Sequence, residues 1–268
     1  GERLFFSEAA GTSRRLFSIG IEDHGPKVVG SLEPGVTSAV SLDPRGENVA
    51  FVLQTDDQPP EVFVAVTTAD SSTRLSSVQA DVARPPMGRT EELVWQSGSF
   101  SIDGLLTYPI GYEGGRVPLI LLVHGGPGGA FSHSFTGAPG IYMIQTFTQR
   151  GYAVLRPNPR GSAGYGKEFR YANVEDWGYG DYEDLMAGVD ETIAMGVADA
   201  DRLFLMGWSY GGYMTSFAVT RTSRFRAASM GAGLPNLVSM VHTTDIPDYL
   251  AAHMGGELWE DYSAYERH

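Results

Sequence analysis

An apolar run, Leu203-Phe204-Leu205-Met206, leads straight into Gly207-Trp208-Ser209-Tyr210-Gly211, and Gly212-Tyr213-Met214-Thr215-Ser216-Phe217 follows. No other feature of the chain restricts its fold as strongly. The first run reads as a buried strand and the stretch from Gly211 to Arg221 as a helix, so G-x-S-x-G falls on a sharp strand-to-helix turn. Strand and helix approach so closely there that side chains at 207 and 211 would clash. The serine between them is held at unfavourable backbone angles with its Oγ above the sheet edge. In a chain with 34 glycines the bare pattern arises easily by chance. The matched flanks are what separate a working serine from an inert one on a glycine-rich turn.

The rest of the C-terminal part agrees with such a turn. A hairpin is expected over residues 91–108 around Ser101-Ile102-Asp103-Gly104, then a buried strand from Val117 to His124. A helix is expected from Gly140 to Arg150, a strand at Tyr152-Ala153-Val154-Leu155, and a helix from Asp181 to Met195 with Leu185, Val189 and Ile193 at helical spacing. Strands follow at Arg202 to Met206 and from Phe225 to Met230. Alternation of this kind makes a doubly wound, mainly parallel α/β sheet.

The first 88 residues read differently, as β-hairpins. Leu4-Phe5-Phe6 and Leu16-Phe17 flank a turn at Gly11; Val49 to Leu53 and Val62-Phe63-Val64 flank Asp56-Asp57-Gln58-Pro59-Pro60. Aligning Phe5 with Phe51 and Phe17 with Phe63 gives one offset, 51 − 5 = 63 − 17 = 46, a blade-like period. The turn Asp43-Pro44-Arg45-Gly46 precedes the second copy's first strand. The expectation is the C-terminal part of a β-propeller over residues 1–88, a stiff break at Arg84-Pro85-Pro86-Met87-Gly88, and a catalytic domain over residues 89–268. An ordinary small β-domain is the alternative.

Chemistry follows from the elbow. Ser209 is the candidate nucleophile, and the Tyr210 N–H at the helix N-terminus is a candidate donor to a developing oxyanion. His124-Gly125-Gly126-Pro127-Gly128-Gly129 follows an apolar strand, and the Gly126 N–H is the second candidate donor. His124 reads as a strand-end structural residue rather than a base, because in this fold the base follows the nucleophile in the chain.

These residues, with Arg156-Pro157-Asn158-Pro159-Arg160-Gly161-Ser162, Gly164-Tyr165-Gly166 and Asp181-Tyr182-Glu183-Asp184, closely resemble the prolyl oligopeptidase family of serine peptidases. The resemblance runs over about residues 90–268 and implies an α/β-hydrolase fold preceded by a propeller. The loop His124-Gly125-Gly126-Pro127 looks most like the acylaminoacyl-peptidase branch. The prolyl oligopeptidase and dipeptidyl peptidase branches carry a tyrosine where this chain has His124, and use it on the oxyanion. The resemblance implies short peptides, N-acylated ones among them, as substrates. A carboxylesterase or lipase on the same fold is the alternative, since neither elbow nor loop separates ester from amide hydrolysis.

A serine nucleophile needs a base and an orienting carboxylate, in the order Ser, acid, His in this fold. The residues after Ser209 include His242, His253 and His268 with Asp245, Asp248 and Asp261, but none sits in a loop pattern that fits either role. In the family, acid and base lie beyond the stretch Thr244-Asp245-Ile246-Pro247. The expectation is a chain cut short of its last strands, with the triad Asp and His on a later segment or a second chain, and an isolated chain that is inactive. Net charge of −13 without a basic cluster argues against nucleic acid, and Leu119 to Val123 is too short to span a membrane. The absence of Cys excludes thiolate nucleophiles and Cys-ligated zinc, and no metal or organic cofactor is implied. Oligomeric state stays open, a homo-oligomer included. So does compartment, with the cytoplasm slightly favoured over periplasm or secretion.

Overall fold

The computed structural model describes residues 3–30, 34–82 and 84–268. It divides into two units, Gly1–Met87 with Ser132–Thr146, and Gly88–Phe131 with Phe147–His268.

The N-terminal unit is built from β1 (Arg3–Ala10), β2 (Ser13–Gly20), β3 (Lys27–Val28), β4 (Val36–Leu42), β5 (Asn48–Gln54), β6 (Glu61–Val66) and β7 (Thr73–Arg74). Strands β4 to β7 form one antiparallel meander. Strands β1 to β3 form another, and among the described residues β2 meets β4 through one parallel pair, Arg14 with Val36. The repeat is visible in the strands themselves: β3 and β7 begin 73 − 27 = 46 residues apart. Phe51 lies opposite Phe63. In the first hairpin, however, Phe17 faces Phe6 rather than Phe5. The two-residue turn there, with Gly11 at φ 58°, sets a different register from the longer β5–β6 loop. Burial alternates along β5 and β6, and Leu16, Val29, Val49, Phe51, Leu53, Phe63 and Ala65 make the core.

Ser132–Thr146 belongs with this unit, not with the C-terminal part where the sequence reading put it. Its backbone finds partners here: His133 N–H donates to Thr12 O (2.8 Å), Phe135 N–H to Gln54 Oε1 (3.0 Å) and Thr136 N–H to Asp56 O (3.1 Å). The His133 imidazole also pairs with the Asp56 carboxylate. The helix expected over Gly140–Arg150 shortens accordingly to α1 (Ile144–Thr148).

The C-terminal unit continues with β8 (Thr90–Ser97), β9 (Phe100–Thr107), β10 (Val117–Val123), β11 (Ala153–Asn158), α2 (Gly166–Arg170), α3 (Gly180–Ala194), β12 (Ala198–Trp208), α4 (Tyr210–Arg221) and β13 (Phe225–Gly231). Three short helices follow, α5 (Leu237–Val241), α6 (Pro247–Met254) and α7 (Tyr262–Glu266). The sheet order is β13-β12-β10-β11-β9-β8. Strands β10 to β13 run parallel, and the β8–β9 hairpin adds two antiparallel strands. That hairpin turns at Gly98-Ser99, not at 101–104 as its sequence suggested, because Ser97 pairs with Phe100.

Leu119–Val123 is buried, as a continuous apolar run covered on both faces should be, and β11 is buried throughout with Arg156 and Asn158 included. Strand β11 lies on one side of β10 and β12 on the other, so the winding reverses at β10. Ligand crevices form at such reversals, outside the carboxyl ends of the strands. Val123 pairs with Gly207, which sets the loop after β10 beside the turn after β12.

Candidate active site

Ser209 sits between β12 and α4 at φ 60° and ψ −120°. A non-glycine residue in that region costs on the order of 1–3 kcal/mol and persists only where its surroundings over-determine it. They do so here. Ser209 N–H donates to Gly231 O on β13 (2.9 Å), and Ser209 O accepts the Tyr213 N–H (2.9 Å). A Cβ at Gly207 would stand 2.2 Å from Gly211 O, and one at Gly211 would stand 2.1 Å from Val123 O. Only glycine fits at either position, because the obstacles are backbone.

The loop after β10 lies against the serine. A Cβ on Gly125 would come within 3.3 Å of Ser209 Cβ. Gly126 adopts φ 136°, and its peptide to Pro127 is cis. A Cβ at Gly126 would meet the Gly128 and Gly129 nitrogens at 2.3 and 2.4 Å, so the loop folds tightly upon itself. The Gly126 and Tyr210 peptides thus belong to two segments that flank Ser209.

His124 has partners other than Ser209 on both ring nitrogens. It is buried, with Nδ1 2.8 Å from Gly125 O and Nε2 3.0 Å from Ser162 Oγ, and its ring stands edge-on to Phe131. Burial pushes its pKa down to about 4, so the ring is neutral. It ties the end of β10 to the turn at Pro159–Ser162, where Ser162 Oγ also lies 2.7 Å from Pro159 O.

The later histidines are occupied elsewhere. His253 Nδ1 accepts the Trp177 indole N–H at 3.2 Å, and burial lowers its pKa to about 4. His268 donates from Nδ1 to Trp177 O at 2.7 Å and accepts the Arg267 Nε–H on Nε2, and burial lowers its pKa too. His242 is exposed just beyond α5. Among the described residues, none of these rings is hydrogen-bonded to Ser209 Oγ. No group of three or more His, Asp or Glu among the described residues is arranged to hold a metal ion.

Residues 141–268 match the profile of the Prolyl oligopeptidase family. The uncharacterized peptidase YuxL of Bacillus subtilis is 33% identical over 218 residues, which cover 80% of this chain and 32% of that protein. An acylamino-acid-releasing enzyme of Arabidopsis thaliana is 32% identical over 178 residues, 65% of this chain and 23% of that one. In fold, the chain is similar to the Pyrococcus horikoshii acylaminoacyl peptidase, with a TM-score of 0.84 at 23% identity over 100% of this chain and 41% of that one. Residues 141–268 belong to the prolyl oligopeptidase family. The chain spans about a third or less of the two curated relatives' length. Its architecture is that family's pairing of propeller strands with an α/β-hydrolase sheet.

Two features of this prolyl oligopeptidase-family site escaped the sequence reading. Arg160 holds Asp184 through its backbone N–H (2.8 Å), Nε (3.0 Å) and Nη2 (2.8 Å), binding the loop after β11 to α3. That hydrogen bonding raises the Arg160 pKa against the effect of burial. Asp181, three residues earlier, receives the Tyr210 hydroxyl. Both acids were read only as part of the Asp181-Tyr182-Glu183-Asp184 motif. Acidic residues near the start of a helix ordinarily serve its dipole or face water, so nothing in the sequence marks these two as internal.

Proposed function

We propose that the protein is a serine peptidase that cleaves short peptides, N-acylated ones among them, through an acyl-enzyme on Ser209. The observation that carries this reading is the elbow itself. A serine held at φ 60° between β12 and α4, with the glycine loop against its Cβ, places backbone strain at the carboxyl end of the sheet, where ligands bind.

Ser209 Oγ attacks the scissile carbonyl carbon as a base takes its proton. The Gly126 and Tyr210 N–H groups hold the oxyanion of the tetrahedral intermediate. Its collapse breaks the C–N bond, and the protonated base delivers its proton to the leaving amine. Water then attacks the ester by the same route in reverse and frees Ser209. Every step uses protein groups and water. The base His and its Asp belong, on this reading, to a part of the protein outside residues 1–268. The engagement of His253 and His268 with Trp177 supports that. So does β13, which pairs only with β12 among the described residues and stands at the sheet edge beside Ser209.

The preference for acylated substrates rests on the loop His124 to Pro127 and on the likeness to an acylamino-acid-releasing enzyme. The test uses the protein at the full length of its gene. Turnover of an N-acetyl-peptide anilide is compared with that of a free-amino dipeptide anilide and of a p-nitrophenyl ester, in wild type and Ser209→Ala. Cleavage of the acylated anilide, lost by about 10⁶-fold in Ser209→Ala, is expected. Ester turnover with no anilide turnover would establish an esterase instead.

A further inference from the structure

The polar group beneath the elbow does something that the mechanism above leaves unused. Asp181 is the second residue of α3 and has no exposed surface. Its Oδ1 accepts the Tyr182 N–H at 2.8 Å, and its Oδ2 accepts the Tyr210 hydroxyl. Tyr210 is the residue after Ser209, and its side chain is as buried as its peptide is functional. The ring stands edge-on to Trp177 at 5.1 Å and stacks on Tyr213 at 5.8 Å. In that aromatic nest the Asp181 carboxylate is the charged group that grips it.

The neighbouring charges are committed to other partners. Asp184 is held by Arg160, and Asp176 accepts the Gly180 N–H at 3.0 Å. Among the described residues no cation forms an ion pair with Asp181, although the Arg160 charge reaches it, and burial pushes its pKa up to about 7. An acid serving only the helix dipole would do so at the surface, without losing its hydration. The feature that accounts for an interior acid here is its bond to the phenol.

We propose that Asp181 is a positioning residue for the Ser209 elbow: through the Tyr210 hydroxyl it fixes the Ser209–Tyr210 peptide and the N–H aimed at the oxyanion. This rests on the reading of Ser209 as the acylated nucleophile. Asp181 touches no substrate. The Tyr210 ring is 1% exposed, so loosening it leaves substrate binding alone and changes the reacting geometry.

The test uses the full-length protein with Asp181→Asn, Asp181→Leu, Tyr210→Phe and the double variant Asp181→Leu/Tyr210→Phe. Two quantities are measured: kcat and KM on the anilide that wild type cleaves, and the rate at which a fluorophosphonate labels Ser209. Asn keeps an acceptor oxygen for the phenol, whereas Leu keeps the approximate volume without one. Asp181→Leu and Tyr210→Phe are expected to lose on the order of 10²-fold in kcat and in labelling rate. KM is expected to stay within about twofold. Asp181→Asn should retain most of the wild-type rate, and the double variant should be no slower than the slower single one. Losses that multiply in the double variant, or a raised KM with kcat intact, would overturn the proposal. Should Asp181→Leu fail to melt cooperatively, Tyr210→Phe decides alone, because its ring keeps the packing. A labelled wild type beside an equally fast Tyr210→Phe refutes the positioning role and leaves the nucleophile standing. A wild type that is not labelled refutes both.

Discussion

Both units of the molecule bury carboxylates, and Glu61 and Asp181 are treated in opposite ways. Glu61, at the start of β6 in the N-terminal unit, receives the Ser76 hydroxyl, the Val78 and Gln79 N–H groups at 3.2 Å, and the Arg74 guanidinium at 3.0 Å. With the Ser76 hydrogen bond leading, these donors hold its pKa below the ordinary glutamate value. Asp181 in the C-terminal unit receives the Tyr210 hydroxyl and the Tyr182 and Gly178 N–H groups, forms no ion pair among the described residues, and is pushed up to about 7 by burial. The first unit satisfies its interior charge fully and gains a fixed loop. The second keeps an under-compensated one next to a strained serine. The strained serine and the raised carboxylate lie together where chemistry is proposed, while the N-terminal sheet keeps its backbone strain at Ala39 (φ 49°), in the irregular part of the β4–β5 pairing.

The largest effect that would sharpen this contrast is expected at Asp184. Its side chain has no exposed surface and Arg160 is its cation. Asp184→Ala leaves that guanidinium part-buried and unpaired, and should cost the C-terminal unit about 3–5 kcal/mol in denaturant unfolding. Hydrogen exchange in β5 and β6 should be unaffected. Matched loss of protection in both units would break the comparison.

Next is Gly211→Ala. The added Cβ would stand 2.1 Å from Val123 O, so α4 must move away from β10 and carry the elbow with it. Fluorophosphonate labelling of the full-length protein should slow by on the order of 10²-fold. A labelling rate near wild type would show that the elbow tolerates more than its packing suggests.

The carboxylates themselves differ in pH dependence. Asp181 in the folded state holds a proton that the unfolded chain has lost between about pH 4 and 7, so its contribution to stability falls as pH rises through that window. The slope is at most about 1.4 kcal/mol per pH unit. Glu61 has the opposite sign: its contribution is present above the unfolded glutamate pKa and is lost as pH falls through the lower folded value. His124 and His253, both lowered to about 4, also lose stability as pH falls from about 6.5 to 4, so the tests are differences from wild type. Asp181→Asn should improve relative to wild type as pH rises from 4 to 7. Glu61→Gln should close its gap to wild type only in acid. The same sign for both variants would refute the contrast.

The smallest effect belongs to Gly46, which turns the chain between β4 and β5 at φ 71° with open space where a Cβ would go. Gly46→Ala should cost about 1 kcal/mol, from backbone strain alone. A loss comparable to that of Asp184→Ala would mean that the N-terminal turns are as constrained as the elbow.

What the sequence disclosed follows the same division. Leu119–Val123 announced β10 because an unbroken apolar run fits a strand covered on both faces, and Ser209 announced the elbow because glycines at 207 and 211 flank it. The 46-residue period gave both N-terminal meanders, yet missed that Phe17 faces Phe6, since register depends on turn length. Asp103-Gly104 has turn chemistry but lies within β9. A Cβ at Gly104 would stand 2.8 Å from Arg156 O, so its glycine serves packing against β11. Ser132–Thr146 and Asp181 were hidden for a shared reason. Their partners, Thr12, Gln54 and Asp56 in one case and Tyr210 in the other, are distant in the chain, and no local pattern encodes them.

The proposed chemistry requires a covalent bond to one oxygen, Ser209 Oγ. Full-length protein can be quenched in acid during turnover of an N-acyl amino acid ester, digested, and mapped by mass spectrometry. An acyl mass increment is expected on the peptide containing Ser209, absent from Ser209→Ala. Turnover that proceeds with Ser209 unmodified, or an acyl group on a different residue, would contradict that chemistry.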